Sequence, residues 1–167
     1  LCFLGSLQSQ RQARQAVRDA VMATRGHPAV FAYSVVNEIP ADIVRWSGVA
    51  PVQRFIDTLV AEAKEADPGC LCTFTSFPPT EFLQSESIDF VCFNVYLHQP
   101  KPFEAYLARL QTLADAKPLG TMDTNPPRLE QRLQAAEAAL AGIPEVNPHV
   151  VLMDINLPGI NGIECVA

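Results

Sequence analysis

The sequence lacks an excess of basic residues: 12 Lys and Arg stand against 18 Asp and Glu, a formal net charge of −6. Nucleic acid and anionic membrane surfaces, which reward clustered Lys and Arg, are therefore excluded as expected partners. No apolar run approaches the length of a membrane span, and Leu1-Cys2-Phe3-Leu4 has no basic residue before it, so neither a spanning helix nor a signal peptide is expected. A disulfide framework is missing too. The five cysteines (Cys2, Cys70, Cys72, Cys92 and Cys165) are odd in number and lie mostly in apolar, strand-like runs. They read as reduced core thiols of a cytoplasmic chain. Cys70 and Cys72 have no His nearby, which argues against zinc. Charged residues make up only 18% against 49% apolar, which excludes disorder. There is no internal repeat and no low-complexity tract. What is present is 167 residues, one domain or one domain plus a piece of another. Such a length buries roughly two-thirds of its unfolded surface. The start at Leu1 and the clipped helical turn at 162–167 both read as truncations.

Fourteen prolines punctuate the chain, many where helices would begin. Residues 7–25 carry Ala13, Ala16, Val17, Ala20 and Val21 at helical spacing, with Gly26 as the stop. Residues 29–36 form a buried strand ending at Asn37-Glu38. A second helix starts at Pro51 with Val52, Phe55, Ile56, Leu59, Val60 and Ala63 on one face. Strands follow at 71–75 and 88–96, with room for a short helix at Glu81-Phe82-Leu83. Pro102 opens a third helix, a weak strand begins at 117–119, and Pro126-Pro127 opens a fourth helix before a strand at 149–155. The order predicts an α/β fold with mainly parallel strands alternating with helices.

Glu38 directly follows a buried strand, at the rim where parallel α/β architectures collect catalytic groups. A carboxyl there suits general acid–base work, and Asn37 beside it suits a hydrogen bond to a substrate hydroxyl. Residues 26–38, Gly-His-Pro-Ala-Val-Phe-Ala-Tyr-Ser-Val-Val-Asn-Glu, resemble the fourth strand of retaining (β/α)8 glycoside hydrolases, in particular the family 2 type of catalytic barrel. Relatives of that barrel occur joined to a glycosyltransferase module in bacteria. The resemblance runs over about residues 26–119. It implies Glu38 as acid/base, with Asn37 beside it. Residues 88–96 look like the sixth strand, and Tyr96 matches the aromatic that contacts the nucleophile. Ala116-Lys117-Pro118-Leu119 looks like the start of the seventh. The implied substrate is a β-linked saccharide, hydrolysed by double displacement without a cofactor. Asn94 and Trp46 are candidate saccharide contacts, Trp46 as a stacking platform or as a packing residue. His98 reads as an exposed loop residue.

The departures bear on activity. A retaining enzyme needs a second carboxylate about 5–5.5 Å from the first. The family supplies it as a Glu ending the seventh strand, whereas Leu119 is followed here by Gly120-Thr121-Met122-Asp123. Asp123 is a methylene shorter and its register is uncertain. A whole barrel also takes about 250 residues. The chain is therefore expected to be inactive as it stands.

A second motif closes the chain. Residues 147–164, centred on Val150-Val151-Leu152-Met153-Asp154, resemble the third strand and following loop of response-regulator receiver domains. The resemblance covers about residues 133–167. It implies Asp154 as phosphoacceptor, a histidine kinase as partner, and Mg²⁺ bound by Asp154 and the backbone carbonyl of Asn156. The acidic pair that would complete a Mg²⁺ site does not precede it, since 107–113 reads as helix and Asp115 stands alone.

The composition shifts after Arg132, beyond which there is no Lys or Arg. This places a junction between Gly120 and Pro127. It divides a partial barrel-like part, 1–122, from a receiver-like (flavodoxin-like) βα part, 123–167. One continuous five-stranded, doubly wound sheet is the alternative. A partial barrel leaves open edges and apolar faces, so marginal stability or association is expected. Three readings of function follow: glycoside hydrolase, phosphorelay receiver, or a non-catalytic joining of two fragments.

Overall fold

The computed structural model describes residues 3–28, 30–97, 99–122 and 151–154. Asp123, His98, Asn156 and the helix expected from Pro126 lie outside the described residues.

Helix α1 spans Leu7–Thr24. Ser6 caps it by accepting the Ser9 N–H at 3.2 Å, which satisfies one of the donors every helix start leaves open. Val17, Ala20 and Val21 are buried, Ala13 is half-buried and Ala16 is exposed, so the apolar stripe is narrower than its periodicity predicts. The Arg25 N–H closes on the Val21 carbonyl, and Gly26 turns the chain at a φ of +75°.

Strand β1 (Val30–Asn37) leads into two helices, α2 (Ala41–Ser47) and α3 (Val49–Ala66). Gly48, at a φ of +85°, separates them. The sequence pattern predicts only the second. α2 buries Val44 alone and so carries no periodic signal. α3 begins two residues ahead of the expected Pro51, which sits in the first turn where its missing N–H is no loss. The predicted face, Val52 to Ala63, is buried throughout.

The remaining elements are β2 (Leu71–Ser76), β3 (Val91–Asn94), α4 (Pro100–Ala114), β4 (Leu119–Met122) and β5 (Val151–Asp154). The apolar run 88–96 yields a strand of four residues. Ile88 and Val95 are buried outside the ladder, because an apolar run reports burial rather than pairing.

The fold is α/β. The five strands form one all-parallel sheet in the order β4-β3-β2-β1-β5. β1 to β4 are neighbours in chain order, while β5 joins the far side of β1. On one face Tyr33, Val35, Cys72 and Phe74 pack with Val17 and Val21 of α1 and the apolar stripe of α3. A second core sets Leu110 of α4 against Phe93 and Val95. Alternating with the apolar positions of β1 and β2, Ser34, Thr73 and Thr75 are small, polar and buried, and hydrogen-bond to neighbouring segments of the sheet. Ser34 Oγ meets Thr75 Oγ1 at 2.8 Å, and Thr73 Oγ1 donates to the Phe90 carbonyl at 2.7 Å.

α1 and α3 are also joined by charge. Arg14 Nε and Arg18 Nη2 each donate to the buried Glu62 carboxylate at 2.6 Å. Burial alone would push this carboxyl up, but the two guanidinium hydrogen bonds outweigh it and hold it below the usual range.

No full helix links β2 to β3. A short 3₁₀ turn at Pro78–Thr80 lies just ahead of the expected position at 81–83. The loop is pinned instead by Lys117, whose Nζ donates to the carbonyls of Ser85, Glu86 and Ile88 at 2.9, 3.0 and 2.9 Å. Between this loop and the end of α4 lies a cavity of about 540 Å³ lined by Phe74, Leu83, Ile88, Phe93 and Leu113 among others.

Among the described residues, no helix is long and apolar enough to cross a membrane.

Candidate functional site

β1 ends at Asn37, and Glu38 leaves the strand with a φ of +45°. A side chain other than glycine in this region costs about 1–3 kcal/mol and persists only where the surroundings hold it. The Glu38 N–H is held to the Thr75 carbonyl of β2 at 2.8 Å. The chain is thus fastened to the sheet at the residue where it turns away towards α2.

The Glu38 side chain is half-buried, and its Oε1 accepts two hydrogen bonds. One comes from Asn94 Nδ2 at 2.6 Å and the other from the Tyr96 hydroxyl. Asn94 ends β3 and Tyr96 follows two residues later, whereas Glu38 ends β1. β2 lies between those strands, so the three side chains meet over the carboxyl end of β2. Asn94 Nδ2 also donates to Asn37 Oδ1 at 3.1 Å.

The orientation of the Asn94 amide follows from its neighbours. Asn37 Oδ1 and Glu38 Oε1 are both acceptors, so the –NH₂ must sit between them. Its carbonyl oxygen is then turned away. Asn94 is only 2% exposed, and Oδ1 is buried without a hydrogen-bond partner among the described residues. A buried acceptor left empty is costly, and its chemistry suits a hydroxyl or amide donor. The hydrogen bonds from Asn94 and Tyr96 to Glu38 both fall on Oε1.

The helix that follows β1 carries an exposed aromatic. Trp46 of α2 is 82% exposed, eight positions after Glu38. Tyr96 is half-exposed. Its hydroxyl engages the Glu38 carboxylate, the group that the resemblance assigns as acid/base. The large cavity is a separate feature, lined by none of Asn37, Glu38, Asn94 and Tyr96.

β5 ends at Asp154, and its backbone pairs with Ser34 of β1. Asp154 therefore lies at the same end of the sheet as Asn37. β1, flanked by β2 and β5, is where the strand order reverses, the place at which open parallel sheets form a crevice. Asn156, the other expected Mg²⁺ ligand, and Asp123, the candidate nucleophile, lie outside the described residues. Among the described residues no three or more His, Cys, Asp and Glu gather as metal ligands.

The sequence names Asn37, Glu38, Asn94 and Tyr96 one by one, and the fold brings all four together. Two features escape the sequence. One is the left-handed backbone at Glu38, for which Glu gives no signal. The other is the bridging part of Asn94, hinted at only by the recurrence of Asn at two strand ends. Comparison with protein families, curated proteins and solved structures finds no match to this chain.

Proposed function

We propose that residues 26–119 are part of a retaining β-glycoside hydrolase-like barrel, with Glu38 as the acid/base that exchanges a proton with the glycosidic oxygen. The observation that carries this reading is the convergence of Asn37, Glu38, Asn94 and Tyr96 at the carboxyl ends of parallel strands. Glu38 Oε2 faces the leaving oxygen, while Asn94 and Tyr96 hold Oε1. The vacant Asn94 Oδ1 accepts a sugar hydroxyl, and Trp46 offers a stacking face. Without a Glu after Leu119, no built-in group captures the oxocarbenium-like centre from the opposite face. The chain therefore binds β-linked saccharide and turns it over at a negligible rate. The reduced thiols of Cys70 and Cys72 support a reducing, cytoplasmic setting.

Azide, offered as an external nucleophile with aryl β-glycosides of poorly activated phenols, tests the assignment. The expected product is an α-glycosyl azide from the wild-type chain and none from Glu38→Gln. Equal rates in the two chains would remove Glu38 from the chemistry.

Residues 133–167 carry the second reading, a phosphorelay receiver fragment with Asp154 as phosphoacceptor. The position of Asp154 as the last residue of a parallel strand supports it. Acetyl phosphate with Mg²⁺ is expected to label Asp154 weakly or not at all, since the sequence supplies no acidic pair for the metal. Stoichiometric labelling would make the receiver the leading function.

A further inference from the structure

Cys70 and Cys72 take no part in the Glu38 site. Cys70 follows the turn at Asp67-Pro68-Gly69 and immediately precedes β2, while Cys72 is the second residue of that strand. Their sulfurs lie 3.5 Å apart. Cys72 is fully buried in the core beneath α3, and Cys70 is partly exposed. A disulfide bond is about 2.05 Å long, so the sulfurs need to approach by about 1.5 Å from the 3.5 Å contact. Cys70 can supply that movement. Pairing of β2 with β1 begins at Leu71, so turning the Cys70 side chain breaks no strand pair.

We propose that Cys70 and Cys72 are a reversible redox site that closes to an intrachain disulfide by exchange with a small-molecule disulfide such as glutathione disulfide. The Cys70 thiolate attacks one sulfur of glutathione disulfide and expels a glutathione thiolate, leaving glutathione bonded to Cys70. The Cys72 thiolate then attacks the Cys70 sulfur and expels the second glutathione thiolate. The two protons released by the cysteines are taken up by the two glutathione thiolates. Two protein thiols are oxidised and one glutathione disulfide is reduced.

The order of attack follows from the surroundings. Burial pushes both thiols up, Cys72 the more strongly. Lys64 of α3 opposes this for both, while Asp67 (at Cys70) and Asp89 reinforce it. Cys70 is thus the more exposed and the more readily ionised sulfur, and it enters first. Because one residue separates the cysteines, the closed ring is small and strained. Strained disulfides are readily reduced, which is the behaviour of a switch and not of a structural staple. The Cys72 N–H bonds to Asp89 Oδ2 at 2.7 Å, and Asp89 Oδ1 accepts from Lys64 at 2.8 Å. Closure therefore takes place beside a contact that joins β2, the β2–β3 loop and α3.

The test is incubation of the full chain with glutathione disulfide, acid quenching, and tandem mass spectrometry of the peptide holding 70–72. In the wild-type chain the peptide is expected to lose the mass of two hydrogens and to retain no glutathione. Cys72→Ser should trap glutathione on Cys70, Cys70→Ser should leave Cys72 unmodified, and Cys92→Ser should behave as wild type. Circular dichroism of each variant verifies that it is folded. Glutathione remaining on Cys70 in the wild-type chain, a disulfide from Cys70 to any other cysteine, or an unreacted pair would each overturn the proposal.

Discussion

Asn94 at the end of β3 donates to the Glu38 carboxylate at 2.6 Å across the intervening strand β2. The contact joins side chains 56 positions apart in sequence. It closes the rim of the sheet and sets the direction of the carboxyl.

Asn94→Ala removes both donations and leaves Asn37 Oδ1 and Glu38 Oε1 short of a partner. Unfolding in urea should show a loss of about 1–3 kcal/mol. Asn94→Asp should be worse, because a second carboxylate would face the first. Tyr96→Phe, at a half-exposed position, should cost under about 1 kcal/mol. If Asn94→Ala is as mild as Tyr96→Phe, the bridge does not hold the rim.

Glu38 can be probed for backbone strain without its side chain. Glu38→Ala and Glu38→Gly delete the same carboxylate, but only glycine accepts a φ of +45° freely. The glycine variant should be the more stable by about 1 kcal/mol. The reverse order would mean that Glu38 is not held in the left-handed region.

The Arg14–Glu62–Arg18 cluster gives stability a pH dependence of known sign. The Glu62 carboxyl is held below its usual range in the folded chain, so the unfolded chain binds its proton first on acidification. The same holds for Asp89, where burial pushes the carboxyl up but the hydrogen bonds from Lys64 and the Cys72 N–H, with the charges of Lys64 and Lys117, together outweigh it. It also holds for Glu81, where Arg109 is the main cause. Their contribution is complete above the unfolded carboxylate pKa of about 4 and is lost as pH falls through the lower folded values. Glu62→Gln should cost about 1–3 kcal/mol at pH 7 and flatten the acid limb of a stability–pH curve. An unchanged acid limb would refute the assignment.

Lys117→Met should free the loop between β2 and β3, because one ammonium satisfies three of its carbonyls. The expected loss is about 1–3 kcal/mol, with faster amide exchange confined to residues 77–90 and β3. Uniformly faster exchange across the chain would show that Lys117 acts on the whole fold instead.

Much of the architecture was legible locally. Helix periodicity marked α1, α3 and α4, and β-branched runs marked the strands, because hydrophobic spacing records which side of an element is buried. α2 was invisible, since a seven-residue helix with one buried side chain has no period to read. The 88–96 run overstated β3, since burial at Ile88 and Val95 needs no strand partner. Resemblance pointed to Glu38, Asn37, Tyr96 and Asn94 as separate candidates. The Lys117 clamp, known in sequence only as part of Lys-Pro-Leu, could not be read at all.

The sequence by itself determined most of the element types, the parallel α/β class and the identity of the chemical groups, because these depend on neighbours a few residues apart. Only the tertiary structure decided that β5 flanks β1, that Asn94 reaches Glu38 over β2, and that Glu38 bends into the left-handed region. Strand order and side-chain convergence are long-range choices. They are fixed by which faces bury one another and which buried polar groups find partners, and neither is written in the local pattern of any one segment.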